Sequence, residues 1–569
     1  MSDTSSATSN GSGGPAHGQL GLWDTVSIIV GIVIGSSIFT TPPTIFEGVA
    51  GPWEGLGVWL FCGFLSFIGA LCYAELATTY PRYGGDYVYL TRGFDRPMGF
   101  LFGWAQLAVV LSASTGAMAF IFGDYGTALI GENANTQREA LVSAEKELKS
   151  KKDAAEKLPE PERAAFVTPA AQQKTQAEAA LNRRQNELSL LAGQFAVGAV
   201  VVLTALNFFG VVLGKWMQNA LVLVKLVGLL LIVVAALWSP AEDAFAVANP
   251  TRGGGGFSVS MILVLYAFGG WNDAAFVAAD LKDRRNIPRA LLLGTAGITA
   301  IYLLVNFAYI LGLGFETARF AYPNIAAHVL GKAFGETGAT IISIIVMTSA
   351  LGAMNGLIYT GSRVYLSLGK EHRVFGILGY WNPTLGAPIF SLIAQALVTI
   401  AMILTVGTQA GRDTIDAALM AVGISRTDPQ GNAIAAIPWG QYFGGFNTLF
   451  AGGAPVFWIF FLLTGFSMFA LRARDPKIPR PFELKAPWYP ILPIIFCGMC
   501  LFGFWSAMSY AGWISLLGFV PLFLGLPLYW LSGSGPAQAA PEDGPPPPTD
   551  DIPTLMTGPR GEDRIQSGT

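Results

Sequence analysis

The chain has 569 residues, of which 52% are hydrophobic and only 12% charged, with a net charge of −3. A soluble globular protein carries about twice that share of charged side chains, so water is not this chain's main solvent. The near-neutral balance also excludes a general nucleic-acid binder and leaves the placement of the charges as the informative feature.

Residues 1–19 are Ser/Gly-rich, with neither a basic start nor an apolar core, and are expected to form a disordered N-terminus rather than a cleaved signal peptide. Twelve apolar blocks come next, at 22–47, 55–79, 98–130, 189–213, 217–239, 257–280, 291–315, 336–366, 384–407, 443–471, 487–510 and 513–532. At about 1.5 Å per helical residue such blocks cross the roughly 30 Å hydrocarbon layer of a bilayer. The fold class expected is an all-α polytopic membrane protein with about 12 transmembrane helices, the transporter-like core running over 20–532. With both ends on one side, the short loops there hold fifteen Lys/Arg, among them Arg82, Arg92, Arg285 and Arg472, against five on the other side: Arg252, Arg319, Lys332, Arg412 and Arg426. That bias places both termini in the cytoplasm.

In the first block, Val30-Gly31-Ile32-Val33-Ile34-Gly35-Ser36-Ser37-Ile38-Phe39 puts small and hydroxylated residues at mid-membrane, with Pro42-Pro43 soon after. Cys62 and Cys72 in the second block, and Cys497 and Cys500 in the eleventh, read as small packing residues, since no second ligand pair completes a zinc or redox site. Between the third and fourth blocks, residues 133–190 carry ten Lys/Arg and nine Asp/Glu among many Ala, Gln and Leu. This helix-forming composition, with a break at Leu158-Pro-Glu-Pro161, predicts a helical hairpin outside the membrane. It serves either as a solvated spacer or as a surface for self-association or a protein partner. Lys225 falls inside the fifth block, where an ammonium is expensive unless it is paired or snorkels to the interface. Gly253 to Gly256 reads as a flexible connection before the sixth block.

The sixth block reads Tyr266-Ala267-Phe268-Gly269-Gly270-Trp271-Asn272-Asp273, again with a glycine pair in the middle of an apolar stretch. Glycine costs about 1 kcal/mol relative to alanine in a helix, so both stretches are places where a helix opens or where two helices pack closely. An opened backbone in lipid must line a cavity or be bound by something. A half-helix that starts there offers N–H groups to a carboxylate, and one that ends there offers carbonyls to an ammonium. Breaks five spans apart match an inverted-repeat transporter with discontinuous helices. Asp273 would select cationic substrates or take up a proton; alternatively Asn272 and Asp273 cap the lower half-helix. Arg363, His372 and His328 are too scattered for a metal site, and no catalytic triad or phosphate loop occurs, so no enzyme activity, metal or cofactor is expected. Residues 533–569, rich in Pro, Gly and Asp, form an expected disordered cytoplasmic tail.

Several of these motifs together resemble the amino acid–polyamine–organocation superfamily, and within it the L-type amino acid transporters. Gly35-Ser36-Ser37-Ile38-Phe39, Gly69-Ala-Leu-Cys-Tyr-Ala-Glu-Leu76 with Gly84-Gly-Asp-Tyr87, Phe268-Gly-Gly-Trp-Asn272, Asn286-Ile-Pro-Arg289 and Arg480-Pro-Phe482 carry the resemblance, which runs from about Leu20 to Leu531. It implies a 5+5 inverted repeat working by alternating access, with an amino acid as substrate and lipid around it. By that resemblance the amides near Ser36 and Ser37 hold the substrate carboxylate, and Gly35 belongs to the same binding site. The carbonyls of Val33, Tyr266 and Gly269 hold its amine, beside Phe268 and Gly270, and the Tyr266 ring gates the site. Lys225 matches the lysine of sodium-independent members, which implies exchange or uniport; proton-coupled symport and a non-transporting sensor are the alternatives. Some members join a heavy chain through an outer cysteine, and 131–190 contains none, so no disulfide-linked heavy chain is expected. The outer loops lack an Asn-x-Ser/Thr acceptor, which favours a prokaryotic inner membrane.

Overall fold

A computed structural model describes residues 19–532 except 133, 156–158, 248–255, 323, 428–430, 438 and 440–444. Of the expected disordered ends, residues 1–18 and 533–569 lie outside the described residues, as do Leu158 of the hairpin break and Gly253 to Gly255. In chain order the helices are α1 (Leu22–Val33), α2 (Ser37–Thr40), α3 (Pro42–Glu47), α4 (Pro52–Thr79), α5 (Asp86–Phe94), α6 (Arg96–Ala105), α7 (Leu111–Leu129), α8 (Asn135–Ala155), α9 (Glu160–Phe208) and α10 (Gly210–Trp238). They continue with α11 (Gly256–Ala267), α12 (Asn286–Leu313), α13 (Phe315–Ala318), α14 (Ile325–Phe334), α15 (Thr337–Glu371), α16 (Ile389–Gly407), α17 (Gln409–Ala421), α18 (Gly445–Arg474), α19 (Trp488–Ala511) and α20 (Leu516–Leu531). A π-helical turn, Gln106–Val110, joins α6 to α7, and a 3-10 segment, Trp271–Asp280, comes after α11. Among the described residues the named strands are the short pair Arg426–Thr427 and Ala433–Ile434, antiparallel to each other.

Ten helical stretches among the described residues are long and apolar enough to cross a membrane, so the chain is an all-α polytopic membrane protein. The twelve apolar blocks and the ten stretches differ at two places. The first block is divided into α1, α2 and α3, none of which reaches the length of a span. The last two blocks form one stretch, Trp488–Leu531, that turns at Gly512 with φ +49°. Two further departures concern the connections. The fourth span is continuous with the helix before it, so that α9 runs 49 residues before Gly210, at φ +88°, turns the chain into α10. Helix α17 and the strand pair then occupy the connection between the ninth and tenth blocks, on which the apolar pattern is silent.

Helix α10 shows how the bundle meets lipid. Trp216, Leu223, Leu230 and Leu237, seven residues apart, are exposed, whereas Gln218, Val222, Lys225, Leu229 and Ile232 on the other face are buried. In a bilayer the exposed apolar face is the solvated one, and the polar side chains must find partners inside. They do: Asn207 of α9 donates to Asn355 of α15 at 2.8 Å, Asn355 donates to Gln218 at 2.7 Å, and Gln218 donates to the Gly352 carbonyl at 3.2 Å. Two buried carboxylates are likewise met. Asp280 accepts from Tyr83 at 2.6 Å, Tyr359 at 3.1 Å and Arg363 at 3.1 Å, and Glu75 accepts from Arg472 at 2.6 Å and from the Leu484 amide at 2.8 Å. The core of the bundle surrounds α1, which packs against α10, α12, α15 and the 3-10 segment.

Candidate functional site

Helix α1 stops at Val33 because Ile34 leaves the helical region, with φ −78° and ψ 79°. The Gly35 amide turns back to the Val33 carbonyl at 2.8 Å, and helix resumes at Ser37. A resumed helix leaves its first N–H groups without an acceptor inside it, here at Ser37 and Ile38. At the other side of the break, the carbonyls freed from α1 are taken up. Lys225 Nζ donates to Gly31 at 2.8 Å and to Ile34 at 2.5 Å, Ser349 Oγ lies 2.9 Å from the Ile34 carbonyl, and the Tyr302 hydroxyl lies 2.9 Å from that of Val33. Lys225 is fully buried, so it does not snorkel; it is held against the negative end of α1, where a cation is favoured.

The sixth span opens one turn after Tyr266. The Gly269 amide bonds back to Tyr266 at 2.8 Å, and Gly270 adopts φ +104°, a conformation that side chains with a Cβ avoid. The chain resumes as 3-10 rather than α-helix, with Gly270 as its N-cap; neither Asn272 nor Asp273 makes a capping bond. Instead Asn272 Nδ2 donates to the Asp273 carboxylate at 3.2 Å. The two breaks touch: a Cβ on Gly270 would stand 2.6 Å from Ile32 Cγ2.

Between them lies a cavity of about 110 Å³. Of the residues that the sequence pointed to, Val33, Gly35, Ser37, Tyr266, Gly269, Gly270, Asn272 and Asp273 line it. Ser36, Phe268 and Lys225 do not. Ser36 is buried with its Oγ unpartnered, and Phe268 packs edge-on against Tyr302, the ring centroids 5.1 Å apart. Lys225 stands behind the first break and acts on the cavity only through α1. The Tyr266 ring meets Phe450 of α18 at a centroid distance of 3.7 Å, so two aromatic rings cross one side of the cavity.

Sequence reasoning missed the opposite wall. Gln106 lies on the π-helical turn, Ser114 and Met118 on α7, and Leu449, Phe450, Gly453, Ala454, Phe457 and Trp458 on α18. A Gly452-Gly453-Ala454-Pro455 run in the tenth block signals this wall, because proline inside a helix and small residues beside it open space. Gln106 gave no such signal. The arrangement offers N–H groups and a serine hydroxyl on one side, carbonyls on the other and a mostly apolar wall between, with no nucleophile–base pair. Among the described residues no group of three or more His, Cys, Asp or Glu is placed to hold a metal.

The chain is 25% identical to the human large neutral amino acids transporter small subunit 2, covering 93% of this chain and 83% of the relative. It is 25% identical to the human b(0,+)-type amino acid transporter 1 over 67% of this chain and 68% of the relative. It is 22% identical to the serine/threonine exchanger SteT of Bacillus subtilis (strain 168) over 90% and 96%. These relatives are transporters, not enzymes. A family model described as amino acid permease matches residues 20–526, and this multi-pass membrane protein therefore belongs to the amino acid permease family of the amino acid–polyamine–organocation superfamily.

Proposed function

We propose that the chain carries amino acids across the membrane by alternating access, independently of sodium. The observation that carries this reading is the cavity bounded by both broken spans, with Gly35 and Ser37 on one edge and Tyr266, Gly269 and Gly270 on the other. A zwitterion complements such a site: its carboxylate suits the N–H groups where helix resumes at Ser37, and its ammonium suits the carbonyls near Gly269. The Lys225 ammonium supports the absence of sodium, because it already supplies a positive charge to the Gly31 and Ile34 carbonyls that a sodium ion would otherwise satisfy.

With no further ion, such a carrier works by exchange or uniport. Proton-coupled symport is the second reading, favoured by two buried carboxyls, Asp86 and Asp273, that form no ion pair among the described residues. The loop charges support cytoplasmic termini in a cell membrane. All four cysteines are buried, Cys62, Cys72, Cys497 and Cys500, so the reading includes no disulfide-linked second chain.

Counterflow in proteoliposomes tests the proposal. Vesicles loaded with an unlabelled amino acid take up labelled amino acid from outside, and replacing sodium with choline leaves the rate unchanged. Binding of amino acids without movement in either direction, at any pH, would sink the carrier reading in favour of a sensor. A rate that collapses in choline would sink sodium independence alone.

A further inference from the structure

The two breaks account for both charged ends of a zwitterion, but not for Gln106, Asn272 and Asp273, which also line the cavity. Gln106 comes from the π-helical turn of the third span, and the other two come from the 3-10 segment of the sixth. All three are buried, at 4%, 2% and 4% exposure. Tyr365 of α15 stands beside both elements: its hydroxyl donates to the Gln106 carbonyl at 3.3 Å, and the Asp273 charge acts on it. The Asn272 amide has its orientation fixed, because Nδ2 donates to the Asp273 carboxylate at 3.2 Å, and its Oδ1 is left without a partner. Gln106 Oε1 likewise has none. Two unmet amide oxygens and a carboxylate are acceptors, so the group that this part of the cavity lacks is a donor.

Charge narrows that donor to a cation. Among the described residues, Asp273 is the one charged side chain that lines the cavity. The buried cations of the bundle are turned elsewhere, Lys225 to the Gly31 and Ile34 carbonyls and Arg363 to Asp280 at 3.1 Å. A neutral hydroxyl or amide would meet the free oxygens but leave the carboxylate without a counter-charge, which is costly away from water. The wall beside these acceptors is aromatic. Phe457 and Trp458 of α18 line it with ring centroids 5.4 Å apart at 73°, and Tyr266 and Phe450 line it too. Faces of such rings attract a cation and give a neutral polar group no comparable gain. An ammonium also brings three donors, one for each acceptor. Along the 3-10 segment Asp273 lies roughly 6 Å beyond Gly270, at about 2.0 Å per residue. The flexible four-carbon stem of a lysine covers that distance from an α-ammonium held at Gly269.

We propose that Gln106, Asn272 and Asp273 form a side-chain subsite for an ammonium group, so that the preferred cargo is an amino acid whose side chain ends in a cationic amine, such as lysine or ornithine. This rests on the carrier reading and names the substrate class of the same cavity. Asp273 supplies the counter-charge, the amide oxygens of Asn272 and Gln106 accept the remaining N–H groups, and Asn272 Nδ2 holds the carboxylate in position. The substrate's own charge meets that of Asp273, and both are relieved when the cargo leaves and water returns.

Equilibrium binding of labelled lysine to the purified full chain tests the subsite without requiring transport. The competitors are norleucine, which has the same stem and no ammonium, and an analogue of equal length that ends in a hydroxyl. Lysine is expected to bind about 10–100-fold more tightly than norleucine, with the hydroxyl analogue nearer to norleucine. In Asp273→Asn, which keeps the volume and removes the charge, the preference for lysine over norleucine is expected to disappear, and in Gln106→Met to shrink about threefold to tenfold. Norleucine or the hydroxyl analogue binding as tightly as lysine to the unmodified protein overturns the proposal, as does an undiminished preference in Asp273→Asn. If that variant does not fold, the three affinities of the unmodified protein decide. Counterflow separates the two readings: lysine bound with no amino acid exchanged sinks the carrier and leaves the subsite, whereas leucine exchanged with no lysine bound sinks the subsite and leaves the carrier.

Discussion

At the break in the first span, the carbonyls of Gly31, Val33, Ile34 and Gly35 are met by Lys225, Tyr302 and Ser349, all fixed parts of neighbouring helices. At the break in the sixth span, Asn272 Oδ1 is buried and unmatched, and Asp273 has Asn272 as its hydrogen-bonding neighbour. Both spans face the same constraint, that backbone opened inside a bilayer must be satisfied. The first break meets it on the carbonyl side permanently, with a protein cation. The sixth keeps polar atoms unmet beside a cavity, which is the state expected of a surface whose partners arrive and leave. On the proposed reading, the carbonyl side of the first break serves rigidity, while its N–H side and the sixth break serve the cargo.

Three substitutions test that contrast. The largest effect is expected for Lys225→Ala, which strips the Gly31 carbonyl and half-strips that of Ile34; the bare acceptors and the empty space together remove roughly 2–5 kcal/mol of stability. Counterflow should fall at least about tenfold with it. Full activity in this variant would mean that the first break does not depend on its cation. Gly270→Ala comes next, since φ +104° and a Cβ 2.6 Å from Ile32 force the two breaks apart. Strain of about 1–3 kcal/mol is expected, read as a lower melting temperature and a weaker apparent substrate affinity. An unchanged affinity would separate the breaks functionally. The smallest effect belongs to Tyr302→Phe, which removes one hydroxyl shared by the Val33 and Ala267 carbonyls, each at 2.9 Å. About 1–2 kcal/mol of stability is expected to go, with substrate affinity nearly intact. A large affinity loss without a change in melting temperature would instead place that hydroxyl among the substrate contacts.

The amino-acid order alone determined the solvent of this protein, its helical class and the positions of both breaks. Apolar blocks of span length and glycine pairs within them are local properties, and local composition controls whether a helix crosses lipid and where it opens. It also marked Lys225 as a charge in need of a partner, because desolvation makes any such residue conspicuous. Tertiary structure decided what those features meet. Packing turned Phe268 away from the cavity and towards Tyr302, and put Gln106 on a π-helical turn that no periodicity announces. It supplied the α18 wall and brought the Gly84 amide to the Phe276 carbonyl, 192 positions along the chain. Contacts between residues so far apart depend on how helices cross and how loops return, and in a sequence of near-uniform hydrophobicity many pairings bury the same apolar area. Polar groups such as Asn207, Asn355 and Gln218 then distinguish one packing from another, because a packing that leaves them without partners is costly in lipid.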